Sequence, residues 1–186
     1  MDFDFSDDQE QLRDAVRKYV DKGYSFERRR AIEKAGGFDR AAYTELAELG
    51  LTGLYVPEAD GGMGMGPIEG MVVMEELGRG MVLEPLAQAL IAGAVIAGYA
   101  DAATQAAWLP GVASGEKLVV LAYQERSSRY ALDAIEGKAH QAPGGYVLNA
   151  TKSIVAAGDQ ADAYLVSAKV NSVLGLFLVC LLYTSD

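Results

Sequence analysis

The sequence predicts an α+β protein in two parts, an all-α first domain and a mostly β second one. Up to about residue 115, apolar residues recur at three- and four-residue spacing between capping and stop signals. From Lys117 they come instead in short β-prone runs separated by Gly, Asn and Asp. At the change of texture stands Leu118-Val119-Val120-Leu121-Ala122-Tyr123, followed by the polar run Gln124-Glu125-Arg126-Ser127-Ser128-Arg129. An unbroken apolar run of this length fits a buried strand, and periodicity alone does not separate it from a buried helix segment. Polar residues where such a strand leaves the core are well placed to meet a ligand.

In the helical part, Ser6-Asp7-Asp8-Gln9 has the form of a capping box, with acids in the first turn where the helix dipole favours them. Leu12, Ala15, Val16, Tyr19 and Val20 form one apolar stripe that Gly23 interrupts or ends. A basic continuation through Arg28, Arg29 and Arg30 runs to Gly36-Gly37. This triplet reads as a solvated helix face, with an anion site as the alternative. Asp39 caps a second helix carrying Ala42, Tyr43, Leu46 and Leu49, closed by Gly50.

The loop Asp60-Gly61-Gly62-Met63-Gly64-Met65-Gly66 does not match a dinucleotide fingerprint. It is either a tight turn for close packing or the lining of a cavity. Pro67 opens a third helix, in which Glu75 and Glu76 point to different sides and take solvated or helix-end roles. Pro85 opens an apolar, central helix over Leu86 to Tyr99, and Asp101 caps a fifth that reaches Trp108.

The totals narrow the function. Half the residues (51%) are hydrophobic and 23% charged, as in a globular protein, and the net charge of -10 disfavours nucleic acid as a partner. A single cysteine, Cys180, and a single histidine, His140, leave no disulfide framework and nearly exclude a zinc site. No G-x-S-x-G turn is present for a serine hydrolase. The acidic N-terminus lacks the pattern of a signal peptide, and the apolar run Val173 to Tyr183 is short of the roughly 20 residues that cross a bilayer. A cytoplasmic protein with no membrane partner is expected.

The order of the motifs resembles the acyl-CoA dehydrogenase family. Leu118 to Glu125 stands where that family has a strand end close to Ala-Met-Thr-Glu-Pro. Gly145-Tyr146-Val147-Leu148-Asn149-Ala150-Thr151-Lys152 is similar to its Gly-Tyr-x-Leu-Asn-Gly-x-Lys, and Ala161-Asp162-Ala163-Tyr164-Leu165-Val166-Ser167-Ala168 follows in place. Leu46-Ala47-Glu48-Leu49-Gly50-Leu51, Pro57-Glu58, Gly61-Gly62 and Glu75-Glu76-Leu77-Gly78 also match. The departures are Gln124 for the flavin-contacting threonine, Arg126 for proline, and Ser153-Ile154-Val155-Ala156-Ala157 for x-Trp-Ile-Thr-Asn. Phe26 to Arg30 and Tyr123 to Tyr130 look more like the pimeloyl-CoA dehydrogenase small-subunit type.

The resemblance implies a helical domain over 1–115, a partial β-barrel-like middle domain over 116–179, and a tail, 180–186, foreign to the fold. It implies FAD as cofactor, contacted by Tyr123, Gln124, Glu125, Val155 and Ala156. Acyl-CoA would be the substrate, with Arg126, Ser128 and Arg129 toward the CoA; ordinary surface ion pairs are the alternative for the two arginines. The implied reaction is α,β-dehydrogenation of the thioester, with electron-transfer flavoprotein as acceptor. Either a homo-oligomer or a sister subunit is expected as partner, and a non-catalytic partner subunit is the second reading of the chain. The family base is a glutamate of a C-terminal helical domain; no residue here takes that role, so the chain reads as truncated or frame-shifted and inactive alone.

Overall fold

The computed structural model describes residues 4–128 and 131–181. The chain divides into two compact units, Met1–Glu116 and Lys117–Asp186.

Among the described residues the first unit contains six α-helices. α1 (Asp7–Gly23) starts on the reciprocal Ser6–Gln9 capping box read from the sequence. α2 (Phe26–Lys34) is a separate helix that the sequence reading ran into α1. Ser25 starts it by accepting from the Arg28 N–H. α3 (Arg40–Glu48) is capped by Asp39, and Gly50 follows it at φ 78°, a left-handed conformation that suits glycine. α4 (Pro67–Arg79) begins on Pro67, α5 (Leu86–Tyr99) follows Pro85, and α6 (Ala102–Ala113) is capped by Asp101. α6 passes through Pro110, so it runs beyond the end expected at Trp108. α5 is central on one side only: Leu86, Leu90 and Ile96 are buried, but Ile91 and Tyr99 are exposed.

The core of this unit joins Leu12, Val16 and Val20 of α1 to Leu46 of α3, Val73 and Leu77 of α4, and Leu86 and Leu90 of α5. Those of α1 and α3 fall on the stripes read from the sequence, whereas in α4 the buried face is Val72, Val73, Glu76 and Leu77 while Ile68 and Met71 are exposed. Burial of these faces is the force that assembles the helices. Leu51 and Leu54, in and just after a short 3-10 turn (Leu51–Gly53), complete the core. The glycine loop resolves to close packing. Met63 N–H donates to Gly53 O (2.9 Å), Gly64 to Val56 O (2.8 Å) and Met65 to Leu54 O (2.8 Å). A Cβ on Gly62 would overlap the carbonyl oxygens of Val56 and Gly53.

One acidic side chain departs from the sequence reading. Glu75 is exposed, but Glu76 is 2% exposed rather than solvated. Arg17 of α1 binds it at 2.5 Å and Arg79 at 2.8 Å, and Arg79 reaches Asp21 at 2.8 Å. The Arg17 hydrogen bond leads in holding the Glu76 carboxyl below the usual glutamate range, against the effect of burial. Two members of the arginine triplet are likewise structural, while Arg30 is exposed as a solvated face expects. Arg28 forks onto Glu45 (2.7 and 3.0 Å), and Arg29 donates to Gly80 O.

Glu84 is the opposite case. It is 5% exposed, and neither carboxylate oxygen has a hydrogen-bond partner among the described residues. Burial pushes its carboxyl up; the nearby Tyr24 hydroxyl and Asp39 backbone pull it down by less.

The second unit is one mixed sheet. β1 (Val119–Ala122) runs parallel to β4 (Ala163–Val170), pairing Val119 with Ala163 through Ala122 with Val166. β2 (Lys138–Ala142) and β3 (Gly145–Asn149) form a hairpin across Pro143-Gly144, with Gly144 at φ 86°. β5 (Val173–Cys180) returns antiparallel along all of β4 through Asn171 and Ser172, both at positive φ as a two-residue hairpin requires. The partial barrel expected is, among the described residues, an open sheet of order β1-β4-β2-β3 with β5 on β4.

The tail expected to leave the fold at position 180 starts inside it: Cys180 pairs with Ala163, and Leu181 N–H donates to Asp162 O. Residues 182–186 lie outside the described part. Among the described residues no helix is long and apolar enough to cross a membrane.

Two measurements check these packing assignments. Gly62→Ala is expected to destabilise the helical unit by about 2–3 kcal/mol in urea unfolding, because backbone atoms must move to admit the methyl. For Glu84, the folded carboxyl titrates above the unfolded one, so stability falls as pH rises from the ordinary value of 4.5 through the raised one. Glu84→Gln removes this loss, and its melting temperature relative to the parent should rise across that window; a pH-independent difference would contradict the assignment.

Candidate functional site

The site is built where β4 changes partners. On the edge opposite β5, β1 covers Ala163 to Val166, and β2 takes over at Lys169. Between the two strands β4 has a gap at Ser167 and Ala168. The chain leaving β1 at Tyr123 turns away there, and Gly137, entering β2, accepts from Lys169 N–H at 2.8 Å. Polar side chains fill the gap.

Ser167 lies on the inward face with Ala163 and Leu165, as strand alternation places it, and is 3% exposed. Lys152 Nζ donates to Glu125 Oε1 (2.6 Å), Ser167 Oγ (2.9 Å) and the Tyr123 carbonyl (3.3 Å), which matches its three N–H donors to three acceptors. Ser167 Oγ also donates to Tyr123 O at 3.2 Å. The Glu125 carboxylate accepts further from the N–H groups of Glu136 (2.7 Å) and Gly137 (3.0 Å). Both charged side chains are at least nine-tenths buried, at 7% and 6% exposure.

Burial penalises the Glu125 anion, but the Lys152 ammonium and the two backbone N–H donors outweigh it and hold the carboxyl below the usual range. Such an acid makes a poor general base at neutral pH. Gly137 has to be glycine for this packing, since a Cβ there would press on Ala150 and on Glu125 Oε1.

The strand end and the loop after β3 are joined directly, because Ser153 N–H donates to Gln124 O at 2.9 Å. The Tyr123-Gln124 strand end and the loop that carries Val155 and Ala156 thus adjoin at Ser153. Tyr123 and Ala156 are exposed, Gln124 and Val155 half-buried. Glu125, which the family pattern puts with them, is turned inward, and its carboxylate is engaged within the protein. Arg126 is exposed at the turn that follows. Ser128 is 6% exposed; its Oγ accepts from Glu125 N–H (3.1 Å) and donates to Glu125 O (2.8 Å), which closes that turn. Arg129 lies outside the described residues.

The loop itself is strained. Ile154, at φ 55°, and Ala157, at φ 54°, both sit in the left-handed region, and for a β-branched residue that is a marked outlier. Ile154 is also 84% exposed, so no packing energy holds it there. The turn is fixed from its two ends instead: Ser153 on Gln124 before it, and Gly158 N–H to Val155 O and Gln160 N–H to Ala157 O after it. Among the described residues, the N–H groups of Val155 and Ala156 meet no backbone acceptor.

Sequence reasoning gave Lys152 and Ser167, both inside the family motifs, no role, and missed Gly137. A signal was present in the strand pattern, where a hydroxyl at an inward position of β4 implies a polar partner in the core.

An open mixed sheet with a polar seam, together with a helical unit, makes this by class a two-unit α+β chain. The family follows from comparison with known proteins. Residues 6–116 match the model of the acyl-CoA dehydrogenase N-terminal domain, and the chain belongs to the acyl-CoA dehydrogenase family. It is 29% identical to a benzylmalonyl-CoA dehydrogenase of Aromatoleum aromaticum over 96% of this chain and 48% of that protein. Among solved structures it is similar to the Tcur3481-Tcur3483 steroid acyl-CoA dehydrogenase G363A variant, at TM-score 0.84 and 32% identity over 93% of this chain and 48% of that one. The ChsE4-ChsE5 complex of Mycobacterium tuberculosis gives TM-score 0.87 and 27% identity over 97% and 49%. The chain spans about half the length of the relatives it matches.

Relief of the loop strain is directly measurable. Ile154→Gly is expected to raise stability by about 1 kcal/mol, since glycine takes positive φ without steric cost and the lost side chain is exposed. Chemical denaturation of the two forms compares them; a loss of stability would mean that the isoleucine side chain is held by contacts.

Proposed function

We propose that the protein containing this chain catalyses FAD-dependent α,β-dehydrogenation of an acyl-CoA thioester, and that this chain supplies the strand-end face against which the flavin rests. Family membership supports the reaction class. The observation that carries the site is the union of the Tyr123-Gln124 strand end with the Val155-Ala156 turn, which presents backbone N–H groups beside an adaptable amide.

These groups fit a flavin. Its ring has carbonyl and nitrogen acceptors along one edge, and the Val155 and Ala156 N–H groups and the Gln124 amide can donate to such an edge. Bound FAD would supply hydride-accepting chemistry that side chains lack. The chain's own part is to donate hydrogen bonds, orient the ring and cover one side of it. Glu125 does not meet the cofactor in this reading; it supports the segment that does. Nor does Glu125 abstract a proton, because its anion is already satisfied by three donors. Arg126, exposed beside the site, and Arg129 three residues on in the sequence are the cations for an anionic part of CoA, while Ser128 closes the turn that carries Arg126. Electron-transfer flavoprotein is the acceptor that the family suggests.

A second reading is supported by particular side chains. Gln124 and the methyl group of Ala156 stand where the family pattern has threonines, so side-chain hydrogen bonding to a flavin is reduced. In this reading the chain is the partner subunit of a heteromeric acyl-CoA dehydrogenase, of the pimeloyl-CoA dehydrogenase small-subunit type, and its sister chain retains the cofactor. The similarity to the ChsE4-ChsE5 complex agrees with such an arrangement.

Purification of the whole protein, alone and co-expressed with a sister chain, distinguishes the two. Yellow protein with FAD bound in the absence of the sister supports the first reading. Flavin retained only in the mixture supports the second, and colourless protein under both conditions would sink the dehydrogenase assignment.

A further inference from the structure

We infer that Lys152 is a positioning residue: its ammonium, seated on Glu125, Ser167 and the Tyr123 carbonyl, sets the position from which the Gln124 strand end and the Val155-Ala156 turn meet their ligand. The inference rests on the flavin-site reading for the identity of that ligand, and on geometry alone for the positioning.

Lys152 lies two residues from Ile154 and three from Val155, so the anchor sits at the root of the strained turn. A turn containing two non-glycine residues at positive φ persists only when its surroundings over-determine it. On its far side, two backbone hydrogen bonds end the turn locally. On its near side, the Ser153–Gln124 hydrogen bond and the Lys152 ammonium are the described ties to the sheet.

The ammonium makes three contacts to two other segments, the strand end after β1 (Tyr123 and Glu125) and the middle of β4 (Ser167). With Lys152 itself, one nitrogen therefore fixes three pieces of chain at one point. Its partner Glu125 extends the hold to a fourth, the entry to β2, through the N–H groups of Glu136 and Gly137. Tyr123 is a direct acceptor of this nitrogen, and Gln124 follows it, so the segment that would face the ring cannot move without disturbing the buried pair. Lys152 itself is turned inward, with its side chain 7% exposed, so its influence on a ligand is exerted through the backbone it holds.

The test uses the whole protein, with its sister chain if flavin retention requires it. Lys152→Met removes the donors while keeping the apolar stem; Glu125→Gln/Lys152→Met removes both charges and spares the fold the cost of an unpaired buried anion. Glu76→Gln, which breaks a buried ion pair in the helical unit, serves as a control for general destabilisation. Amide hydrogen exchange is read without regard to flavin. Faster exchange at residues 123–124 and 153–157 in both Lys152 variants, with the helical unit unchanged, is the expected result. Unchanged exchange there overturns the positioning role.

FAD titration of the apoprotein is then expected to show about tenfold weaker binding and an altered visible flavin spectrum in both Lys152 variants, but parental values in Glu76→Gln. Local loosening with parental FAD affinity and spectrum overturns the link to the ligand. If the parent protein itself takes up no FAD, the flavin reading fails with the link, while the exchange data still decide whether Lys152 positions the turn.

Discussion

One ammonium group holds the β unit together where its ladder of backbone hydrogen bonds is broken. β4 is paired along its whole length with β5 on one side, but on the other it passes from β1 to β2. At that handover the backbone alone leaves polar groups without neighbours, and burying them unpaired would be costly. Lys152, Glu125 and Ser167 meet the need with side chains. A buried charge pair of this kind adds little net stability over an apolar filling, but once present it strongly penalises any arrangement that separates its members. Here that penalty specifies where the strand end and the loop after β3 must lie.

Three buried carboxylates show how environment, and not residue type, sets behaviour. Glu76 is held by two arginines that reach solvent, and it ties α1 to α4. Glu125 is held by an ammonium and two backbone N–H groups, with no arginine involved. Both have a depressed carboxyl pKa despite burial, because the donors outweigh the desolvation. Glu84 has no such donors, and burial pushes it the other way. The first two favour the fold at neutral pH, whereas the third works against it.

The face proposed to meet the flavin follows from this framework. The side chains at the strand end and turn are modest: a tyrosine, a glutamine, a valine and an alanine. What the structure adds is backbone, presented at a fixed place by a strained turn and a buried anchor. A planar, acceptor-rich ligand edge can be met by N–H groups without any charged contact. That is consistent with a family member in which the usual hydroxyl side chains have been replaced.

The sequence by itself determined most of the helical unit. Ser6, Asp39, Pro67 and Asp101 start helices where local capping chemistry says they should, and the apolar stripes of α1 and α3 become part of the core. These are short-range effects, so neighbouring residues suffice to read them. It was weaker at Ser25, where the new helix was masked by a continuous basic run. It was weaker again at Lys138–Ala142, a strand with no apolar run, whose hairpin pairing with β3 supplies the order that its composition does not.

Tertiary structure alone decided the rest. It buried Glu76 and Glu125, turned Ser128 into a turn closure, and placed Lys152 27 residues along the chain from the carboxylate it neutralises. It also joined the strand end to the loop after β3 through the Ser153 N–H and the Gln124 carbonyl. The physical reason is the same each time: a polar residue's role depends on which partners the fold brings within hydrogen-bond distance, and those partners are distant in the sequence.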